Sequence, residues 1–101
     1  MVYFEWDEAK AMSNRRKHGV QFEDAMLVFA DPDALIDQDR IEDGEVRWQT
    51  LGLAGGIVLV LVAHTVQNKN QDEIIRIISA RKAVREERKR YDQNRKKDFF
   101  R

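Results

Sequence analysis

The sequence predicts an α+β domain of order β-α-α-β-β-β-β-α, with two helices first, a small mainly antiparallel sheet next and one basic helix last. Three observations carry this. A helical segment that stops at Gly19 is followed at once by Phe22, Ala25, Met26 and Phe29 at i, i+3, i+4 and i+7, one apolar helix stripe. Residues 34–79 then change to alternating or wholly apolar runs separated by polar, glycine-bearing turns. The last stretch, from Arg81 to Arg101, holds ten bases against four acids and few apolar side chains, which suits a solvated helix.

Taken in order, "YFEW" (3–6) alternates aromatic and acidic residues as a short strand does. Asp7 caps a helix running to His18, and Gly19 stops it by accepting the left-handed conformation. The second helix ends at "ADP" (30–32), where the only proline disfavours helix at Asp31. "ALIDQD" (34–39) reads as an edge strand, "RIEDGE" as its turn and "VRWQTLG" (46–52) as an alternating strand. After "AGG" (54–56), "IVLVLVAHTV" is apolar enough to be buried on both faces and takes the centre of the sheet. "QNKNQD" (67–72) is a loop and "EIIRIIS" the last strand. A final helix opens at Ser79 or Ala80 with a thin stripe of Ala80, Ala83, Val84 and Tyr91. Residues 92–101, ending in "DFFR", are expected to project from the domain.

One domain spanning residues 1–101 fits this length. Zero cysteines remove disulfides and thiolate metal sites. The longest apolar run, "GIVLVLVA" (56–63), is too short to cross a bilayer, and "MVYFEWDEAK" lacks the basic-then-apolar order of a secretory signal. A soluble cytoplasmic protein without membrane contact is the expectation. The zero net charge hides an asymmetry: residues 1–60 carry six bases against twelve acids, and residues 61–101 reverse the ratio. Such a dipolar chain suits a polyanion or an acidic partner, or simply two differing solvated faces.

The candidate chemistry begins at "NRRKHG" (14–19). Cutting RNA needs a group to move the 2′-hydroxyl proton and cations to hold the phosphorane charge, and histidine, lysine and arginine are suited to these tasks. Cations in a last helical turn also complement the helix dipole and need no ligand. Asn14, Lys17 and His18 are spaced to share a helix face. Arg47 and Arg76 stand inside predicted strands among apolar neighbours, where a cation needs either an acidic partner or an anionic ligand. Arg81, at the expected strand-to-helix junction, is placed to reach the same anion. His64 closes the apolar strand and reads as a hydrogen-bonded core-edge residue; two isolated histidines make no metal spacing.

Together, "FEWDEAKAMSNRRKHGVQFEDAMLVFADP", "RWQTLG" and "RIISARKAVREERKRY" resemble the BrnT family, ribonuclease toxins of BrnT/BrnA type II toxin-antitoxin modules. The resemblance covers about residues 3–91. It implies a RelE-like fold, RNA cleavage that halts translation without a metal or other cofactor, and neutralisation by a BrnA-type antitoxin. That antitoxin carries a ribbon-helix-helix dimer, forms a hetero-oligomer with the toxin and brings it to operator DNA. Carried onto this chain, the family pattern falls on Trp6, Lys17, His18, Arg47, Arg76 and Arg81. In that light His18 is the acid or base, Lys17, Arg47 and Arg81 stabilise the phosphorane, Asn14 and Arg76 hold substrate, and Trp6 either holds substrate by stacking on a base or merely closes the core. The rival reading is a non-catalytic module that binds protein or nucleic acid through its basic last helix.

Overall fold

The structure, a computed structural model, describes residues 1–99, with side chains as far as Arg95. Strand β1 (Val2–Glu5) leads into helix α1 (Glu8–His18), helix α2 (Phe22–Ala25) and a 3₁₀ segment, Met26–Ala30. Strands β2 (Leu35–Glu42), β3 (Glu45–Ala54), β4 (Val58–Lys69) and β5 (Asp72–Lys82) follow, and helix α3 (Arg85–Phe99) is last. The sheet order is β1-β5-β4-β3-β2. Neighbours are antiparallel except β1, which lies parallel to β5 with Val2 opposite Glu73 and Glu5 opposite Arg76. The expected α+β order is the order found.

Helix α1 begins and ends where its caps dictate. The Asp7 carboxylate accepts from the Lys10 amide at 3.0 Å. At the other end Gly19, with φ of 69°, donates its N–H to the Arg15 carbonyl. The next segment departs from expectation. A single α-helix would bury Phe22, Ala25, Met26 and Phe29, but the chain tightens to 3₁₀ after Ala25. At about three residues per turn the inward positions become Phe22, Ala25 and Val28, each 0% exposed. The tightening seats Val28 on β3 where only glycine fits: a Cβ on Gly52 would stand 2.9 Å from Val28 Cγ1.

The strands run longer than their sequence boundaries, because tight turns replace the expected loops. Asp43–Gly44 and Asn70–Gln71 both have positive φ at their two central residues, the geometry that follows strand twist. The largest correction concerns β5. Residues 79–82 stay in the sheet, paired to Val60–Ala63 of β4, and Ala83 N–H still bonds the Leu59 carbonyl. Helix α3 therefore starts at Arg85 rather than at Ser79. Its first turn is closed by Glu87, whose carboxylate accepts from the Val84 amide at 2.9 Å.

Two cores result, one on each face of the sheet. Under α1, α2 and the 3₁₀ segment lie Val60, Val62, Ile75, Ile77 and Ala80, with Phe4 and Trp6 packed against them. His64 is also on this side, edge-on to the Phe29 ring at 4.8 Å between centroids. On the opposite face Leu51, Leu59 and Tyr91 form a smaller core beneath α3, flanked by Leu35, Leu53, Leu61 and Ala83. Tyr91 is thus the residue by which an otherwise polar helix is held. Its hydroxyl donates to Asp31 Oδ2 at 2.6 Å, while Arg90 pairs with Asp37 and Arg95 with Asp33. The projecting segment expected at 92–101 is helical through Phe99; the Phe99 side chain and Phe100 lie outside the described residues.

Candidate functional site

The first wall of the site is a helix face that is polar where a packed helix is ordinarily apolar. Lys10, Ser13, Asn14, Lys17 and His18 recur at i, i+3, i+4, i+7 and i+8 on α1, and all of them border one groove of about 170 Å³. Across it lie Ile78 and Ser79 of β5. The groove exists because β1 stops opposite Arg76, so the later part of β5 has no strand beside it and α1 runs there instead. Asn14 closes the gap. Its amide donates to the Ala80 carbonyl at 2.8 Å and to the Val20 carbonyl at 3.1 Å, and its oxygen accepts from the Ala80 amide at 3.1 Å. Asn14, expected to contact substrate, borders the groove, is 6% exposed and acts as a one-residue strand.

Lys17 and His18 remain exposed beside it. Neither forms an ion pair among the described residues. Their place in the last turn also satisfies the helix dipole, so the structural and the chemical readings of "RRKHG" coexist.

The arginines occupy the sheet face turned away from α1 and α2. Register shows this: Arg76, Ser79 and Arg81 on β5 stand opposite Thr65, Ala63 and Leu61 of β4, alternate residues that point to one side. Gln49 faces Ala63 from β3, so Arg47, two residues earlier, points the same way. The bulge at Ala63/His64 leaves Ile78 as the extra residue and keeps Ser79 in step with that face. Ser79 consequently belongs both to the groove of Lys17 and His18 and to the face of the three arginines.

The arginines differ in state. Arg76 is exposed and has no ion pair among the described residues. Arg47 is half-buried; its Nε is fully covered and has no hydrogen-bond partner. It also stands opposite Arg40 on β2, whose own charge is met by Glu42 at 3.1 Å. Arg81 is not at a helix N-terminus as expected. It lies in β5 and grips Glu87 with both terminal nitrogens at 2.9 Å. The hydrogen bond to Glu87 raises the arginine's pKa despite partial burial, and the same bond holds the Glu87 carboxyl below the usual carboxylate value. With Nη1 also reaching the Lys82 carbonyl, the outward Nε–H and one Nη2–H are left to face a ligand.

Trp6 is a core closure. Its ring meets Phe22 edge-on at 5.9 Å, and its indole N–H donates to Glu8. His64 is wholly buried and structural. The Thr65 carbonyl can only accept, so Nδ1 carries the proton and Nε2 accepts from the Thr50 hydroxyl at 2.7 Å. Burial holds its pKa below the ordinary value, only partly offset by the Thr65 carbonyl. Among the described residues no three His, Asp or Glu side chains converge as metal ligands. A larger hollow of about 410 Å³ lies beside β1, but Glu5 and Asp72 line it with Lys69, a poor surface for a polyanion.

The family model of the ribonuclease toxin BrnT of type II toxin-antitoxin systems matches residues 6–87. This chain belongs to that family. The BrnT match takes in Trp6, Lys17, His18, Arg47, Arg76 and Arg81 and ends on Glu87, the partner of Arg81. Among solved structures, the Brucella abortus ribonuclease toxin BrnT is similar with a TM-score of 0.62 and 23% identity, covering 84% of this chain and 99% of that one. At that identity the likeness speaks for the BrnT fold. A search of curated proteins finds no match. No helix among the described residues is long and apolar enough to cross a membrane.

Lys10, Ser13 and Ser79 are the site-lining residues that sequence reasoning passed over. Helical arithmetic puts Lys10 and Ser13 on the face of Lys17 and was available in advance. Ser79 was hidden by the expectation that the strand ended there.

Proposed function

We propose that this BrnT chain is a metal-independent endoribonuclease acting in the cytoplasm, with its site on the groove and sheet face that meet at Ser79. The observation that carries this is Arg47, whose covered Nε lacks a partner on a face already bearing Arg76 and Arg81. A half-buried guanidinium without an acidic partner costs stability, and a phosphate beside its terminal nitrogens offsets that cost.

In this reading His18 moves one proton, either taking it from the 2′-hydroxyl or giving it to the leaving 5′-oxygen, and solvent water serves the other transfer. The 2′-oxygen then attacks the adjacent phosphorus and the bond to the 5′-oxygen breaks. Lys17, Arg47 and Arg81 balance the added negative charge of the phosphorane, and Arg76 holds the strand. Glu87 fixes the Arg81 fork so that its free edge is oriented before substrate arrives. The Lys10 and Lys17 ammonium groups on the groove wall repel a divalent ion, which supports chemistry without one. Neutralisation falls to a BrnA-type ribbon-helix-helix antitoxin in a hetero-oligomer, which carries the toxin to operator DNA. The rival reading of a basic binding helix is weakened because Arg90 and Arg95 are tied to the chain's own acids.

The test is RNA cleavage in excess EDTA with wild type and folded His18→Ala, Lys17→Ala and Arg81→Ala. Wild type should cut, and the His18 variant should be about 10²- to 10⁴-fold slower. Undiminished cleavage by all the variants would place the site elsewhere, and EDTA-sensitive cleavage would overturn metal independence.

A further inference from the structure

The groove continues beyond the residues given a chemical role. Lys17 and His18 sit at its C-terminal end, while Lys10 and Ser13 line the part nearer the start of α1, with Ser79 across from them. Along the helix Lys10 and Lys17 are about 10 Å apart at 1.5 Å per residue. The lining holds two ammonium groups, an imidazole and two hydroxyls, and no carboxylate among its seven residues. Asp7 and Glu8 are the acids at this end of the helix; the Asp7 carboxylate is engaged by the Lys10 backbone amide and the Glu8 carboxylate by the Trp6 indole N–H. The Lys10 ammonium itself has no ion pair among the described residues.

A helix that needed only to dock on β5 would present apolar side chains there, as α2 does on its own face with Phe22 and Ala25. On α1 Ala11 packs against the core and Asn14 bonds the β5 edge, while the rest of the groove-facing stripe stays polar. We infer that Lys10 and Ser13 form a second phosphate subsite, for a backbone phosphate adjoining the one that is cut, so that single-stranded RNA lies along α1. This rests on the endoribonuclease reading and adds the path of the strand to it. The contact is with the sugar-phosphate backbone, so it tightens binding for every sequence and reads no base. Lys10 supplies charge and Ser13 a hydroxyl donor, and neither takes part in the bond-making step.

The experiment uses the whole chain and two RNAs. One is an oligoribonucleotide with 2′-O-methyl sugars throughout, which lacks the attacking hydroxyl and reports binding alone; the other is its unmodified counterpart, which reports cleavage. Binding is followed across a range of salt for wild type, Lys10→Ala, Lys10→Arg and Ser13→Ala. Lys10→Ala should weaken binding roughly fivefold. It should also lower the slope of log K against log salt by about 0.7, the loss of one phosphate contact on a single strand. Lys10→Arg should keep the wild-type slope, and Ser13→Ala should weaken binding less than Lys10→Ala without changing the slope. On the cleavable RNA the Lys10→Ala loss should fall on KM rather than kcat.

An unchanged slope and affinity for Lys10→Ala, with wild type binding and cutting normally, overturns the subsite. A loss confined to kcat overturns it as well, by making Lys10 part of the chemistry. Wild type that neither binds nor cuts RNA removes the underlying endoribonuclease reading, an outcome distinct from both.

Discussion

The Tyr91 hydroxyl donates to Asp31 Oδ2 at 2.6 Å, and the same oxygen accepts the Leu53 amide at 2.8 Å. One carboxylate therefore ties the end of the 3₁₀ segment, strand β3 and helix α3 together. Burial opposes its charge, but the bonds from Leu53, Tyr91 and Asp33 outweigh that and hold its pKa below the ordinary value. The same partnership, with burial, pushes the Tyr91 phenol well above its usual range, so it remains a donor. Tyr91→Phe should lower stability by about 2 kcal/mol, the worth of a hydrogen bond to a charged acceptor. Urea unfolding checks this, and a variant as stable as wild type would show that the pair does not hold α3.

Acid should weaken the protein in two stages. Buried His64 has a folded pKa below its ordinary 6.5, so the unfolded chain binds that proton first. Its contribution is complete above pH 6.5 and is lost as pH falls toward the lower folded value. Asp31 and Glu87 are also depressed, from 3.8 and 4.5, so their share is present above those values and disappears below them. Urea midpoints measured from pH 8 to 2 should fall gently first and steeply later. Asp31→Asn should flatten the steep part, and a flat profile between pH 7 and 5 would contradict a neutral buried His64.

Arg47 should separate stability from activity. Replacing it with methionine removes the covered, unpartnered Nε, so the thermal midpoint should stay level or rise. Cleavage should drop about 100-fold or more. Calorimetry and a cleavage assay on one preparation decide it; a fast Arg47→Met enzyme would remove the arginine from the site.

Asn14 offers a sharper comparison than simple truncation. Asn14→Ala loses three buried hydrogen bonds and should cost about 3 kcal/mol. Asn14→Asp cannot donate to the Val20 and Ala80 carbonyls when ionised, so near pH 7 it should be at least as damaging. Its deficit should shrink in acid as the carboxyl regains a proton. Equal deficits at every pH would mean that the two donor bonds contribute little.

What the sequence made legible followed from local chemistry. Asp7 and Gly19 bounded α1 because a cap and a left-handed stop act within one turn. The two-helix start and the antiparallel strands followed from periodicity. Hidden were features that depend on a distant partner. The 3₁₀ period of Phe22, Ala25 and Val28 reflects the space left by Gly52, some 24 residues beyond Val28 in the chain. Ser79–Lys82 remain strand because β4 is long enough to pair with them. For the site, helical spacing grouped Asn14, Lys17 and His18, but not which of them turns inward; the edge of β5 selects Asn14. Glu87's hold on Arg81 was hidden because Arg81 was expected in the helix rather than across from it.

Sheets grow by recruiting new strands at open edges. Here the stretch of β5 that β1 leaves bare is occupied at Ala80 by the Asn14 amide. On the far side β2 breaks register between Gln38 and Arg40 and carries Asp37, Asp39 and Glu42. Neither flank offers a second copy a long, straight template. Edge-to-edge pairing of two copies through these flanks is thereby disfavoured.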